Sequence, residues 1–396
     1  MSRRRLLLRI VLLLMLTSSL IVLGLYGNPL SSLSKTFVWS PREPFDMPSS
    51  DGKQQTTTPK ASLSNRTEVK LIIVTYMRSG STLTGDLFSH HPDAFYAFEP
   101  LWAIHTFNRQ KNETAFFLDK QPLPFKNLNQ RQLEKADTSF IKDFLDCQFQ
   151  AVNLRTLMAV WVLNMSITTR PFHNCTRNHP GVLGVERCLP LIQEACEGAR
   201  VRSLKTIRFT MRQAVELVRN DPKVRVIHLL RDPRGTLRSQ RRFGSFKFED
   251  EGSNARWFCQ RVLEDLSVSK QLKSAYPGRV LTVRYEDLAM KPLVFAERLL
   301  GFAGLKMDKQ LEEYVLNITS RGLGDSCVIC TQRNDSVRAA SEWRQKINFR
   351  SVALVDATCK DVYRQMGYLP LSKEHQLRDL RVPSFVNSRE VQGLWT

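Results

Sequence analysis

Apolar and polar positions alternate along the chain in blocks that switch between strand and helix periods. Leu71 to Val74 is an unbroken β-branched and aliphatic run, and Val224 to Leu230 and Arg279 to Tyr285 are similar. Such runs mark strands buried on both faces of a parallel sheet. Between them the apolar residues fall at helical spacing. Leu83, Leu87 and Phe88 outline a short helix that ends before Pro92, and Phe258, Val262, Leu263 and Leu266 outline a long one over Ser253 to Ala275. Another is predicted over Leu293 to Phe302, and Ser139 to Leu163 is close to helical spacing. Ala94 to Phe98 reads as a short strand. Ser203 to Asn220 is ambiguous: Leu204 to Phe209 fits a strand and Met211 to Val218 a helix, stopped by Asp221-Pro222. Asp232 is a good N-cap and Pro233 a good first helical residue. Glu286 and Asp287 read as loop or cap residues. The alternation predicts an α/β fold, a parallel sheet with right-handed crossovers.

The two ends break this pattern. Residues 6 to 26 are nearly all apolar and follow Arg3-Arg4-Arg5, long enough to span a bilayer of about 20 residues' thickness. The flanking arginines favour a cytosolic tail of residues 1–5, with everything beyond Tyr26 exoplasmic. A cleaved signal peptide is the other reading, disfavoured by the length of the run. Residues 27 to 68 are rich in Pro, Ser, Thr, Lys and Gln, too polar to fold, and read as a stem. The tail 371–396 is polar and expected to be peripheral. Eight cysteines, all beyond the apolar run, fit disulfides in such a compartment. Cys327 and Cys330 lack a second ligand pair at zinc spacing and are expected to be structural. Residues 165–200, with three of the cysteines, read as a disulfide-bearing surface insertion. Sequons begin at Asn65, Asn112, Asn164, Asn174, Asn317 and Asn334.

Lys plus Arg number 58 against 38 Asp plus Glu, a net charge of +20, so anionic partners are expected. Nucleic acid is the weaker choice, because no aromatic RNA-binding motif, zinc-finger spacing or block of five cations appears. Two strand ends carry the chemistry instead. Arg78-Ser79-Gly80-Ser81-Thr82 places small residues, hydroxyls and a planar cation at a helix start, a cradle for phosphate oxygens. Arg231-Asp232-Pro233-Arg234-Gly235, with Ser239 two turns on, is a second anion site. Ligands of a parallel sheet bind off the strands' carboxyl ends, so both loops should share one edge. Glu99 follows a short strand and precedes Pro100, which is expected to hold it extended at that edge, as a general base or else as a rim carboxylate salt-bridged to a basic face. His90 and His91 sit where a helix ends and are read as capping. Lys205 and Arg208 are read as solvated charge, with contact to a ligand as the alternative. A kinase loop would want Gly-Lys-Ser/Thr, and Gly80-Ser81-Thr82 has no lysine. A non-enzymatic glycosaminoglycan-binding protein remains the competing class.

Tyr76-Met-Arg-Ser-Gly-Ser-Thr82, Leu229 to Ser239, the Phe-Glu-Pro-Leu-Trp segment ending at Trp102 and Arg284-Tyr-Glu-Asp-Leu288 resemble the Golgi carbohydrate sulfotransferases, particularly the galactose/N-acetylglucosamine/N-acetylgalactosamine 6-O-sulfotransferases. The resemblance covers about residues 69–370 and implies one catalytic domain of P-loop-like fold behind a signal anchor. It implies 3′-phosphoadenylyl sulfate as donor, no metal, a glycan or glycosaminoglycan acceptor, and type II residence in the Golgi membrane. By resemblance Met77, Arg78, Ser79, Gly80, Ser81, Thr82 and Leu83 hold the 5′-phosphosulfate, Arg231 and Ser239 the 3′-phosphate, and Arg78 is catalytic, joined by Glu99 as the base that its position suggests. Trp343-Arg344 would stack on or clamp the nucleotide, although such a Trp also fits a core, and Thr331 to Glu342 would form a flap. The chain departs from the family at Ser81-Thr82-Leu83, where Ser-Ser-Phe is commoner, and at Gly235, where Ala is usual.

Overall fold

The structure, a computed structural model, describes residues 68–109, 114–125, 128–320 and 335–396. Residues 1–67, including the apolar run and all of the stem but Glu68, lie outside the described residues, as do Cys327 and Cys330. Among the described residues, no helix is long and apolar enough to cross a membrane.

Five parallel strands form the central sheet: β1 (Val69–Val74), β2 (Ala94–Phe98), β5 (Val201–Thr206), β6 (Val224–Leu230) and β7 (Val280–Arg284), in the spatial order β2-β5-β1-β6-β7. A small antiparallel pair, β3 (Thr114–Ala115) and β4 (Leu123–Pro124), stands apart. The chain runs from β1 outward to β2, returns to β5, then crosses to the other side of β1 for β6 and β7. The segments leaving β1 and β6 are therefore neighbours at the carboxyl edge, which makes it a place for ligands.

Helices cover both faces. On one, Leu83, Leu87, Phe258, Val262, Leu299 and Val362 pack against Leu71, Ile73, Ile227 and Val283. On the other, Phe140, Phe144, Phe172, Ile192 and Leu217 pack against Ile72, Val74, Leu204 and Val226. The region expected as a surface insertion belongs to this second layer. Its helices Arg170–Asn178 and Val182–Glu197 bury Phe172, Cys188 and Cys196, because disulfides Cys175–Cys188 and Cys147–Cys196 draw them onto the sheet. Cys259–Cys359 ties helix Glu251–Ala275 to the end of helix Phe349–Thr358.

β5 resolves the ambiguous stretch. It is buried along its whole length although it carries Arg202, Ser203, Lys205 and Thr206. Each polar group finds a partner: Arg202 donates to Glu68 and to the Cys196 carbonyl, Ser203 to the Phe95 carbonyl, and Lys205 to Glu99, while Thr206 Oγ1 accepts from Arg208 N. Glu286 and Asp287, expected in a loop, lie in the first turn of helix Tyr285–Met290, both buried.

The tail is not peripheral either. Trp395 is buried against Phe295, and its Nε1 donates to Asp287 at 2.9 Å. Three arginines hold tail carbonyls: Arg234 that of Ser384, along with Leu369 just before the tail, Arg284 that of Val386, and Arg344 those of Leu377, Asp379 and Val382. Carbonyls at the ends of short helices need donors, and a guanidinium supplies several in one plane. Hence a segment polar in composition is fixed by its backbone.

Candidate active site

The first loop is tethered on both sides before it turns. Thr75 donates its N–H to Thr206 O at 3.2 Å and its hydroxyl to Leu229 O at 3.0 Å. Tyr76 Oη donates to Asp265 at 2.8 Å and lies 3.0 Å from His228 Nε2. Burial holds His228 neutral, its pKa lowered to about 3. Arg78 and Gly80 then both take left-handed φ values, 69° and 82°. Glycine is required at the second: a Cβ there would stand 2.0 Å from the Tyr285 ring. Helix Ser81–Ser89 starts directly afterwards, with no side chain capping its N-terminus. Its first N–H groups and the helix dipole thus face the strand edge.

The second loop meets the first. Asp232 caps helix Pro233–Arg242 by accepting from Arg234 N at 2.9 Å, which carries Ser239 to the edge. There Arg78 Nε donates to Ser239 Oγ at 3.0 Å, Arg231 Nη1 donates to Arg78 O at 3.2 Å, and Gln240 donates to Met77 O at 2.9 Å. Arg231 lies over the Tyr285 ring at 4.8 Å and Arg78 over the Phe243 ring at 4.2 Å. Ser79 Oγ and Arg231 Nε are buried without a hydrogen-bond partner among the described residues. A neighbouring cation, Arg238, has its pKa lowered by burial and by Arg242 and Arg231, against the pull of Glu342. Repulsion of this kind is relieved when an anion enters.

Glu99 stands at the same edge, two strands away. It is 2% exposed. It is not extended before Pro100 as expected: its φ is 47°, because its N–H donates to Lys205 O at 2.9 Å and its side chain turns toward β5. Oε1 accepts from Lys205 Nζ at 3.0 Å and from Ile207 N at 3.1 Å, and Oε2 accepts from Arg208 Nη1. Lys205 is therefore no solvated charge; it is 3% exposed, lies 3.8 Å over the Phe98 ring, and has its pKa lowered by burial against the opposing pull of Glu99. A lysine one residue from the carboxyl end of a buried strand is the signal in the sequence that points to this role.

Other named residues lie elsewhere. His90 closes helix Ser81–Ser89 and stacks on Tyr314, and His91 bonds Lys306 O and Asp93 N, in keeping with capping and structural use. Trp343 and Arg344 are both buried and hold the tail and Arg234, so neither is placed as a clamp. Of the expected flap, residues 331–334 lie outside the described residues. The rest forms helix Ser336–Ser341, pinned by Ser336 Oγ to Ala289 O and by Arg231 to Ala339 O.

Among curated proteins, the chain is 28% identical over 350 residues to human carbohydrate sulfotransferase 5, covering 81% of this chain and 83% of that one. It is 27% identical over 353 residues to human carbohydrate sulfotransferase 6, with 81% and 86% covered. Among solved structures, a mouse sulfotransferase complexed with PAP aligns over 75% of this chain and 85% of its own, at 10% identity and a TM-score of 0.38, too low to bear on the fold. Residues 71–309 match the model of the sulfotransferase family. That span runs through both anion loops, the strands that carry them and Glu99, and on it the chain belongs to the sulfotransferase family.

Proposed function

We propose that the protein transfers a sulfuryl group from 3′-phosphoadenylyl sulfate to a hydroxyl of a glycan, the 6-hydroxyl of galactose, N-acetylglucosamine or N-acetylgalactosamine. It does so in the Golgi lumen, with residues 69–370 as the catalytic domain behind an anchor at 6–26 and a stem at 27–68. The observation that carries this reading is the joining of the two loops by Arg78 Nε and Ser239 Oγ, with Arg231 behind them. Two anion sites so joined suit one ligand with two separated anionic groups.

The residues present fit such a donor. Ser79 Oγ and Arg231 Nε offer buried, unpartnered polar atoms, and the left-handed turn at Arg78 and Gly80 leaves room for backbone N–H groups to converge. Met77 to Leu83 would hold the 5′ phosphosulfate, and Arg231 and Ser239 the 3′ phosphate. Bound there, the donor supplies the sulfuryl group and a phosphate leaving oxygen. Arg78 neutralises charge building at that oxygen, which is the main demand of such a transfer. Glu99 takes the proton of the acceptor hydroxyl. An ionised carboxylate has about four lone-pair sites, and three donors occupy Glu99, so Oε2 keeps one for the acceptor. Arg208 holds Oε2 directly, while Lys205 and the Ile207 N–H hold Oε1 and so fix the plane of the carboxylate. The support for a glycan acceptor is the carbohydrate sulfotransferase identity of the relatives.

The test is transfer of labelled sulfate by the full-length protein. Arg78→Ala and Ser239→Ala are each expected to abolish transfer while the protein is still secreted-pathway folded and soluble in detergent. Full activity in both variants refutes the proposal.

A further inference from the structure

Between helices Pro233–Arg242 and Glu251–Ala275 runs a segment whose side chains the donor site does not use. Trp257 is 37% exposed and Phe248 is 39% exposed, although most aromatic rings among the described residues are buried. Lys247 Nζ stands between them, 4.8 Å from the Trp257 ring centre and 5.5 Å from that of Phe248. The arrangement is built rather than adventitious. Buried Asn254 accepts from the N–H groups of Lys247 at 2.8 Å and Phe248 at 3.1 Å, and donates to Phe248 O at 2.7 Å. Among the described residues Lys247 makes no ion pair. Of the acidic residues nearby, Asp250 caps the long helix, Glu251 is taken by Arg241 and Ser351, and Glu249 is exposed.

This platform adjoins the active site on two sides. The segment begins at Phe243, the ring under Arg78. Arg261, one turn along the helix from Trp257 and 6.0 Å from its ring centre, donates to Ile207 O at 3.2 Å. Ile207 is the residue whose N–H holds Glu99. A chain whose reacting hydroxyl sits at Glu99 therefore has its next sugars within reach of Trp257.

We propose that Trp257, Phe248 and Lys247 form an acceptor subsite that stacks a pyranose bearing an anionic substituent, carboxylate or sulfate ester, beside the sugar that receives sulfate. A pyranose face presents C–H groups to an aromatic ring, and Lys247 beside both rings meets the anionic group at a partly desolvated position. The net charge of +20 favours the same ligand class. This inference rests on the glycan acceptor proposed above.

Steady-state kinetics of the full-length protein test it, with neutral, uronate-bearing and sulfated oligosaccharide acceptors of equal length. Trp257→Ala is expected to raise the acceptor KM by about fivefold or more while the donor KM stays within about twofold, and Trp257→Phe is expected to recover most of the loss. Lys247→Gln, a surface change that keeps the fold, should raise KM for the anionic acceptors and not for the neutral one; the acceptor that loses more names the substituent. An unchanged acceptor KM in both variants, or a rise in the donor KM instead, overturns the subsite while wild-type transfer leaves the glycan reading standing. Failure of the wild-type protein to sulfate any glycan while it still binds adenosine 3′,5′-bisphosphate overturns the glycan reading, and the subsite with it.

Discussion

Glu99 accepts from three donors, two of them cationic, and a strand-end carboxylate needs far less to be stable. Its arrangement suits a group that must keep one oxygen in place while a proton arrives. Replacing it by Gln keeps the shape and removes the acceptor charge. Turnover is expected to fall by about 10² to 10⁴, the usual worth of a positioned base, with affinity for adenosine 3′,5′-bisphosphate retained by calorimetry. Unchanged turnover would reduce Glu99 to an ion-pair partner of Lys205. Gly235 makes a second prediction at this scale. A Cβ there would come within 2.8 Å of Trp343 Cδ1, so Gly235→Ala should cost about 1–3 kcal/mol of stability by overpacking. Adding Trp343→Leu should recover much of it, a coupling that a double-mutant cycle in chemical denaturation would read. The ring at Trp343 thus accounts for the glycine at this position.

Among elements, the C-terminal segment behaves as a strap on the second anion loop. Arg234 is 0% exposed, pairs with Asp232 at 2.8 Å and Asp356 at 3.2 Å, and donates to Leu369 O and Ser384 O. Its burial opposes its charge, yet Asp232 and Asp356 raise its pKa overall. Removing one partner of such a network leaves the others buried and unpaired, typically at about 3–5 kcal/mol. Arg234→Met is therefore expected to lower the thermal midpoint and to weaken nucleotide binding more than it weakens acceptor binding, since Asp232 caps the helix that carries Ser239. Equal loss of both would make Arg234 a general fold residue. The elements themselves were unequally legible. β1, β6 and β7 announce themselves because an apolar run buried on both faces has no other use in a chain of this kind. β5 does not, since Arg202 and Lys205 look solvated until Glu68 and Glu99, distant in sequence, come to meet them. The tail is no more legible in composition, for the same reason: its anchors are arginines far upstream bonding to its backbone, and composition carries no trace of carbonyl partners.

At the scale of the whole molecule, the two loops and their meeting were readable, because strand-end position follows from alternation alone. The left-handed turn of Glu99 and the Lys205–Arg208 clamp were not, because they depend on which strands become neighbours. The interior also sets a pH response. His228 is held neutral with a pKa of about 3, by burial first and then by Lys273 and Arg261, against an ordinary value near 6.5. Its folded-state pKa is depressed, so the unfolded chain binds the proton first as pH falls. The stabilisation it represents is present above about pH 6.5 and is lost progressively between that value and about 3. Thermal midpoints should therefore drop between pH 7 and pH 5, and His228→Gln should flatten that drop while lowering the midpoint at pH 7; an equal slope in the variant would assign the acid sensitivity elsewhere. The most direct test of the account remains the joined anion site. Calorimetric titration of adenosine 3′,5′-bisphosphate into the full-length protein should show binding that Arg78→Ala and Ser239→Ala each remove. Absence of binding by the wild type, or undiminished binding by both variants, would contradict it.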